Sequence, residues 1–327
     1  MDWSKGIEAR YYGSIVDKDT WRDIERFEIT GGSVSRSTEN LIESADIECV
    51  NYTKGEQWVR IWLDARQDGA SEHIPIFTGL ATSPEDNHNG GLITNSLECY
   101  SVLKPCQDVL LPRGWYAPSG SGKTVVSELL SVTPAPKEMA ENMPRLKKNI
   151  IAEENESYLT MLNKVLLALD WRIRIHGDGT IEVCPYSTEV VETFNMDNDV
   201  IEPTFSKNYD WYSCPNVFRA VSGNDSVTVK DESDSPLSIV NRGREIWAED
   251  TSCNLNENET LYEYALRRLK ELQTVAVKVS YDRRFNPNIL VTDVVRLNYP
   301  QVSGVFAVSS QTVEIGYGAK TTEEAVR

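Results

Sequence analysis

The most regular hydrophobic pattern in the chain is one apolar stripe at helical spacing. Apolar side chains recur at positions i, i+3, i+4, i+7, i+8 and i+11, namely Tyr158, Met161, Leu162, Val165, Leu166 and Leu169. Asn155 followed by Glu156 is typical of a helix start and predicts Asn155 as the N-cap. Burying six such side chains contributes on the order of 10 kcal/mol, so we expect this helix to lie against a sheet.

Directly after this helix the hydrophobic period shortens to about two residues, which predicts a β-hairpin. The alternating apolar positions are Trp171, Ile173 and Ile175 before the turn, and Ile181 and Val183 after it. A two-residue loop at 178–179 would set Ile175 opposite Glu182 and mix the two faces. A three-residue loop at 177–179 pairs Ile175 with Ile181 and puts Gly179 where a left-handed residue is favoured. We therefore predict the three-residue loop.

The rest of the chain is dominated by short strand patterns. In the N-terminal part they occupy residues 26–52, 59–63, 74–79 and 95–103, which indicates an antiparallel barrel or sandwich. Residues 105–122 are rich in Pro and Gly and predict a linker or long surface loop. A short helix is expected at 123–130.

The C-terminal part combines one more helix with further strands. Thr260 and Glu263 form a capping-box pattern before a helix predicted at 260–273. Strands are expected at 200–220, 274–281, 291–297, 305–309 and 312–315, a polar acidic loop at 224–236 and a loose tail at 320–327. Residues 59–61 and 77–79 show a weak sequence similarity to residues 295–297 and 306–308. Such an internal similarity is expected if a barrel domain was duplicated.

Composition and charge exclude several functional classes. The 327 residues carry a formal charge of −17, which argues against binding to nucleic-acid phosphates. The N-terminus lacks an apolar signal segment, and no run approaches the roughly 18 apolar residues of a membrane span, so we expect synthesis in the cytoplasm. Six scattered cysteines predict buried thiols, and His73, His88 and His176 fit no metal or catalytic-triad pattern.

A nucleotide site is the most tempting chemical motif. Gly122, Lys123 and Thr124 match the end of a P-loop, which cradles phosphate with backbone N–H groups. However, the pattern requires a glycine where this chain has Ala117, and no strand is expected to lead directly into the loop. The segment 165–170 imitates a Walker B motif but fits the helical stripe better. A flexible loop before an N-capped helix is therefore the favoured interpretation.

Two weaker candidates also have simpler explanations. The acidic run from Asp231 to Asp234 lacks the glycine and the distant glutamate of a calcium-binding EF-hand loop, so a solvated loop is favoured. The Trp-Tyr pairs at 115–116 and 211–212 could stack on sugars or bases, but aromatic residues of this kind are more often packed in a core or an interface. We predict no catalytic, cofactor-binding or metal-binding residues.

Several strings give the chain a family resemblance. The sequences DWYSCPNVF at 210–218, NRGREIW at 241–247 and YDRRF at 281–285 resemble the baseplate hub, or tail-tip hub, proteins of phages and phage-derived tail particles of Gram-positive hosts. The strings IFTGL at 76–80 and QTVE at 311–314 agree with this resemblance. None of these strings is a catalytic signature.

The resemblance implies a fold class and a division into domains. The class is α+β, mostly β, with two antiparallel β-barrel-like domains and α/β insertions. We expect an N-terminal β-barrel at 1–108, an α/β domain with helix and hairpin at 109–195, and a second β-barrel with an inserted helix at 196–327. Exchange of strands between the two barrels is left open.

The resemblance also implies a function. The chain would be a non-enzymatic virion protein at the tail tip, a homotrimeric ring that joins the sixfold tail tube, or a distal tail protein, to a threefold spike or tip and leaves a channel. The chain stops soon after the last predicted strand, so we expect no C-terminal cell-wall hydrolase. The alternatives are a P-loop NTPase and a carbohydrate-binding tail-tip module. Whether the tail contracts, and which residues line the channel, stays open.

Overall fold

The computed structural model describes residues 1–38, 43–50, 52, 55–89, 92–120, 122–196, 201–209, 211, 212, 214–223, 225–251, 253, 255, 259–274, 277–316 and 320–327. The strands are β1 (Glu8–Val16), β2 (Asp23–Ser37), β3 (Glu43–Val50), β4 (Gln57–Gln67), β5 (Ala70–Asn89), β6 (Leu92–Ser101), β7 (Tyr116–Ala117), β8 (Lys137–Met139), β9 (Ile150–Ile151), β10 (Trp171–Ile175), β11 (Ile181–Pro185), β12 (Val190–Asn195), β13 (Ile201–Tyr209), β14 (Val217–Ser222), β15 (Asp225–Lys230), β16 (Trp247–Asp250), β17 (Val277–Arg284), β18 (Val294–Asn298), β19 (Ser303–Ile315) and β20 (Lys320–Val326). The helices are α1 (Lys104–Asp108), α2 (Gly122–Leu129), α3 (Tyr158–Leu169), α4 (Ile239–Arg242) and α5 (Leu261–Thr274). The predicted class, α+β and mostly β, is confirmed.

The chain divides into two compact units. The larger unit comprises Met1–Thr204 and Tyr281–Glu324, and the smaller comprises Phe205–Ser280 and Ala325–Arg327. The division into domains at 108 and 195 stays a prediction.

The N-terminal strands close into a six-stranded antiparallel barrel. They follow the order β1-β4-β5-β6-β3-β2, and β2 pairs back onto β1. Alternate side chains fill the interior, among them Val34, Ile47, Ile61, Phe77 and Leu97, all at most 2% exposed. Strand β1 was absent from the sequence prediction. Its N-terminal half carries half-exposed and exposed residues, and only its last four residues are buried.

An α/β segment follows the barrel within the larger unit. Strands β10, β11 and β8 form one small sheet, with β8 parallel to β11, and the apolar stripe of α3 joins their core. The predicted linker at 105–122 is wrong at its start, because Pro105 lies in the first turn of α1 and Cys106 is fully buried. Proline is tolerated there because the first helical N–H groups have no partner inside the helix.

Helix α3 confirms the predicted stripe but not the predicted cap. Met161, Leu162, Val165, Leu166 and Leu169 are buried. The N-cap is Ser157, whose hydroxyl accepts a hydrogen bond from the Thr160 N–H at 3.2 Å. Asn155 lies before the helix with a left-handed backbone (φ 61°), a conformation that asparagine tolerates. The predicted N-cap therefore lies two positions before the observed one.

The hairpin has the predicted three-residue loop. Ile175 pairs with Ile181, and the pairs Ile173–Val183 and Arg174–Glu182 follow in register. The His176 N–H donates to the Thr180 carbonyl at 3.0 Å and so closes the loop. Gly179 has φ +84°, the left-handed conformation that the loop requires.

The C-terminal strands of the larger unit connect to the barrel. Strand β19 pairs antiparallel with β18 along residues 303–307 and with barrel strand β2 along residues 310–315. The two strands predicted at 305–309 and 312–315 are therefore one continuous strand. The predicted loose tail is also wrong, because 320–326 form β20, in which Thr321 and Glu323 are fully buried.

The smaller unit contains a three-stranded sheet with a helix packed on it. The sheet order is β15-β14-β16, and Tyr264, Ala265 and Leu269 of α5 pack in its core. The loop predicted at 224–236 is wrong at 225–230, which form β15 in a hairpin with β14. The capping box is confirmed, because the Thr260 N–H donates to the Glu263 carboxylate at 2.9 Å and the Glu263 N–H donates to the Thr260 hydroxyl at 3.2 Å.

Candidate functional sites

In the described part of the P-loop-like segment, two backbone N–H groups are hydrogen-bonded within the chain. The Ser119 N–H donates to the Asn149 side chain at 2.7 Å, and the Gly120 N–H donates to the Leu146 carbonyl at 2.9 Å. Gly122 is buried so closely that an added Cβ would lie 2.5 Å from the Pro144 carbonyl oxygen. These N–H groups and this glycine therefore serve packing within the chain. Ser121 lies outside the described residues.

Two details of the nucleotide hypothesis are settled by the fold. A two-residue strand, β7, does lead into the loop, contrary to the sequence prediction, but among the described strands its one partner is the equally short β9. The segment that imitates a Walker B motif is the last turns of α3 and its C-cap, Asp170. Lys123 is exposed on α2. This arrangement supports the helical interpretation of both segments.

Asp231, the first residue of the acidic run at 231–234, is held by hydrogen bonds within the protein. Asp231 accepts hydrogen bonds from the Ser233 N–H at 3.1 Å and from the Ser233 hydroxyl at 2.6 Å. Its other oxygen accepts from the Gln273 amide at 2.9 Å. Asp231 therefore anchors the loop to the C-terminal end of α5. Over the described parts of the chain, no group of three or more His, Cys, Asp or Glu side chains is arranged to hold a metal ion.

The two aromatic pairs differ in their environment. Trp115 is half-buried against the core of the α/β segment and donates its indole N–H to Glu128 at 2.9 Å. Tyr116, in contrast, is 51% exposed. Tyr212 is 78% exposed, and the Arg244 guanidinium lies 4.8 Å from its ring centroid. Packing therefore explains Trp115 but not Tyr212.

An aromatic and histidine cluster on the outer face of the barrel was missed by sequence reasoning. His73 stacks on Trp62 with ring centroids 4.1 Å apart and an interplanar angle of 4°. Its Nδ1 lies 2.5 Å from Asp64 Oδ1, and its Nε2 lies 2.7 Å from the Tyr12 hydroxyl. Register could have revealed the cluster, because Asp64 pairs with His73 and Tyr12 pairs with Trp62 across adjacent strands.

The hydrogen-bonded series Asp64, His73 and Tyr12 has the same contacts as a catalytic series of acid, base and hydroxyl group. The likeness does not extend beyond these contacts. A nucleophilic hydroxyl needs a lowered pKa or an activating environment. Partial burial instead raises the pKa of Tyr12, despite the nearby Arg26. The cluster is therefore best described as a set of cross-strand side-chain pairs on a solvent-facing sheet surface.

The remaining titratable candidates behave as structural groups. The six cysteines are thiols that form no disulfide, and five of them are buried, as predicted for most of them. Burial raises the pKa of the Cys49 and Cys106 thiols to about 11, which makes them unreactive near neutral pH. His176 lies 3.0 Å from Glu182 at the base of the hairpin loop.

The tip of the hairpin is fixed to the end of the barrel by polar contacts. The Trp21 indole N–H and the Arg60 guanidinium donate to the Asp178 carbonyl at 2.9 and 3.0 Å. The Thr78 hydroxyl donates to the Gly177 carbonyl at 2.8 Å. Arg60 also donates to the Thr78 hydroxyl at 3.0 Å, so the two barrel residues form one network. These contacts fix the α/β segment on the barrel.

A chain of buried polar side chains connects the barrel with the C-terminal strands. Arg36 donates to Glu43 at 2.7 Å and to the Gln311 side-chain oxygen at 2.9 Å. Gln311 donates in turn to Glu323 at 2.8 Å, and Glu323 forms an ion pair with Arg283. Both members of the last pair have fully buried side chains. The chain therefore runs through β3, β2, β19, β20 and β17.

Comparison with known proteins gives matches among solved structures. No model of a known protein family matches the sequence, and no curated protein matches it either. The tail protein from Neisseria meningitidis MC58 superimposes with a TM-score of 0.73 at 15% identity, and 97% of each chain is covered. The 43 kDa tail protein of prophage MuSo2 from Shewanella oneidensis superimposes with a TM-score of 0.69 at 13% identity, and 98% of each chain is covered.

A third structure, a prophage tail protein, is similar over nearly the whole chain. The prophage tail protein gp18 from Listeria monocytogenes EGD-e has a TM-score of 0.54 at 12% identity and covers 97% of this chain and 94% of that chain. The chain therefore has the fold of these phage tail proteins, as the sequence resemblance predicted. In the part of the chain that the structure describes, no helix is long and apolar enough to cross a membrane.

Proposed function

We propose that this protein is a structural subunit of the tail of a phage or phage-derived tail particle, and that it forms the hub of the baseplate or tail tip. The observation that carries the proposal is the likeness in fold to phage tail proteins over 97% or more of the chain. A shared fold does not by itself specify a function. The hub role rests in addition on the sequence strings that resemble hub proteins.

The barrel geometry supports a ring-forming role. The first and last strands of the barrel, β1 and β2, pair with each other along residues 12–16 and 23–28, so this stretch offers no free sheet edge to a neighbouring barrel. We propose a homotrimer in which two barrel-like domains from each subunit make six similar positions facing the tail tube. The pairing of β19 with both β18 and β2 supports an exchange of strands between the two domains.

The proposed partners are a tail tube or distal tail protein on one side and a spike or tip protein on the other. The proposed location is the tail tip of the particle, after synthesis in the host cytoplasm. The role is non-enzymatic, which agrees with the packing found at the P-loop-like segment. The N–H groups of Ser119 and Gly120 are already bonded to the protein.

The charge of the chain supports a channel that repels DNA. Three copies carry a formal charge of −51, three times the −17 of one chain. DNA that slides through a ring is slowed by a basic wall that holds its phosphates, and acidic side chains avoid this. We therefore propose that Asp and Glu outnumber Lys and Arg along the channel.

The oligomeric state tests this proposal most directly. Native mass spectrometry of the purified chain at increasing concentration should reveal a species of three times 36.9 kDa. Neighbouring tail proteins can supply part of the interface, so the trimer is expected to form most fully at the highest concentration. A chain that stays monomeric at every concentration, and in complex with its tail partners, would contradict the hub. A basic channel in the assembled tail tip would contradict the charge argument.

A further inference from the structure

The larger unit carries a basic surface on a chain that is acidic as a whole. The chain has 33 Lys and Arg residues against 50 Asp and Glu residues. Residues 114–127 and 142–152 reverse this balance, because they contain basic residues and no Asp or Glu. The basic residues are all exposed, and we call them the basic surface: Lys123, Arg145, Lys147 and Lys148.

Backbone hydrogen bonds hold the two segments side by side. The Gly120 N–H donates to the Leu146 carbonyl at 2.9 Å, and the Ser119 N–H donates to the Asn149 side chain at 2.7 Å. Strands β7 and β9 extend this pairing. Leu146 is only 3% exposed, so it anchors the segment 145–148 in the core while the charged side chains around it stay exposed. The basic residues of both segments therefore belong to one surface.

The outer face of the barrel carries the opposite charge. Residues 43–50, 80–89 and 92–101, which belong to β3, β5 and β6, contain no Lys or Arg. Four of their exposed acidic residues lie in two adjacent rows across these strands. We call these four the acidic surface: Asp46, Glu48, Glu85 and Glu98.

Cross-strand register brings the four carboxylates close together. Asp46 is directly opposite Glu98. In the next row, Ser96 lies between Glu48 and Glu85. Neighbouring strands are about 4.8 Å apart and alternate residues of one strand are roughly 7 Å apart, so the four residues form one compact patch. Like charges directly opposite each other destabilise a sheet, and a cationic partner would remove this cost for Asp46 and Glu98.

The two surfaces match each other in sign and in number of charges, with four residues on each. Both lie within the larger unit. A polyanion would suit the basic surface alone, whereas a second copy of this chain supplies a partner for both surfaces at once. A contact between two different surfaces of identical chains closes into a ring when the rotation between neighbours fits a whole turn. Charge complementarity therefore favours a second copy as the occupant.

We propose that the acidic surface of one copy docks on the basic surface of the next copy. This inference rests on the proposed ring of three copies and names the contact between its subunits. Each copy uses both surfaces, one towards each neighbour. At about 0.15 M salt the screening length is about 8 Å, so the charges in contact govern this interface more than the net charge of −17 does.

The first test maps the contact in the unmodified chain. Unlabelled and 15N-labelled monomers are mixed, assembled alone or with tail partners, and treated with a carbodiimide, which joins a carboxylate to an adjacent lysine amine. We expect cross-links of mixed isotope composition between lysines of the basic surface and carboxylates of the acidic surface. A trimer without such cross-links would overturn the docking and leave the hub intact. If the chain does not associate in either sample, the hub is contradicted as well.

The second test reverses the charges. One variant carries Lys at all four positions of the acidic surface, and the other carries Glu at all four positions of the basic surface. We expect each variant alone to associate at least ten-fold more weakly than the unmodified chain, because like charges then meet. A mixture of the two variants should regain association, since each supplies the surface that the other has lost. Unchanged association of the single variants, or a mixture that associates no better than they do, would overturn the proposal.

Two controls accompany the charge reversal. Glu232→Lys combined with Asp234→Lys shifts the net charge in the same direction as the acidic-surface variant, at exposed positions of the smaller unit. This double variant should associate as the unmodified chain does. The cross-linking experiment needs no variant, so it decides the proposal even if a reversed chain does not fold.

The third test examines a polyanion as the occupant of the basic surface. Inorganic polyphosphate is titrated onto the unmodified chain and onto the basic-surface variant, and trimer formation is measured for both. Loss of trimer formation in the variant supports the docking of a second copy. A variant that still forms the trimer but no longer binds polyphosphate would assign the basic surface to a polyanion and overturn the proposal.

Discussion

Replacing Gly177 with alanine is the sharpest test of how the hairpin is held on the barrel. A Cβ at this position would lie 1.8 Å from the Pro75 carbonyl oxygen and 2.5 Å from its carbonyl carbon. Real Cβ atoms keep more than about 3 Å from such atoms, because close-packed interiors leave no room for overlap. The loop or the barrel strand must therefore move by more than 1 Å.

That movement breaks the contacts that fix the loop tip. The three hydrogen bonds from Trp21, Arg60 and Thr78 to the loop carbonyls measure 2.8–3.0 Å, and a shift of more than 1 Å takes them beyond bonding distance. Arg60 and Thr78 are at most 6% exposed, so water cannot replace the lost partners without further opening. At about 1 kcal/mol for each bond, we expect a loss of about 3 kcal/mol in the free energy of unfolding.

The assay is equilibrium denaturation followed by tryptophan fluorescence, because Trp21 donates to the loop and its ring centroid lies 5.5 Å from that of Trp58. A loss of this size lowers the melting temperature by about 6–12 °C in a unit of roughly 250 residues. Gly6→Ala is the matched control, since nothing lies within 4 Å of a Cβ added there. If Gly177→Ala were as stable as Gly6→Ala, the docked hairpin tip would be refuted.

Three further predictions concern other local features. Gly179→Val should destabilise by more than about 1 kcal/mol, because a β-branched residue is forced to φ +84° with its Cβ 2.9 Å from Trp21; an unchanged melting temperature would contradict the loop conformation. Glu323→Leu should cost about 3–5 kcal/mol because it leaves the buried Arg283 without its carboxylate, whereas Glu314→Leu at an exposed position of β19 should change little in the same denaturation experiment. The hydrogen bond from the Thr260 N–H lowers the pKa of the Glu263 carboxyl below its usual 4.5. The capping box therefore stabilises α5 above pH 4.5, and this stabilisation is lost as the pH falls through the lowered pKa. An NMR titration that gives Glu263 a pKa of 4.5 or higher would contradict the capping box.

Features encoded by neighbouring residues were predictable from the sequence. The hairpin register follows from the period of two and the spacing of the glycines, and the structure has the predicted pairs. The stripe of α3 and the capping box of α5 likewise depend on residues within one or two turns. In each case, the local sequence pattern and the local backbone geometry favour the same structure.

Features that depend on distant partners were not predictable. Strand β20 has a polar sequence, yet its buried face holds Thr321, Glu323 and Ala325. Glu323 is tolerated there because Arg283, forty positions earlier, supplies the opposite charge. The barrel cluster of Tyr12, Trp62 and His73 likewise requires three strands in register. Alternation of apolar residues alone does not reveal strands whose buried positions are polar.

Both joints within the larger unit combine apolar packing with a polar network: Val16 and Trp58 of the barrel lie in the core of the α/β segment, and Val313 and Ile315 of β19 lie in the barrel core. An apolar contact tolerates small sliding movements, because its energy depends mainly on buried area. The bonds from Arg60 and Thr78 to the hairpin tip, and the chain from Arg36 through Gln311 to Glu323, depend on distance and direction, so small sliding movements break them. Such networks specify an arrangement more than they add stability, since breaking one partner leaves a buried charge. Under the role proposed above, the subunit holds fixed positions in a tail assembly, and loosening either network by Gly177→Ala or Glu323→Leu should impair assembly at temperatures where the barrel still folds.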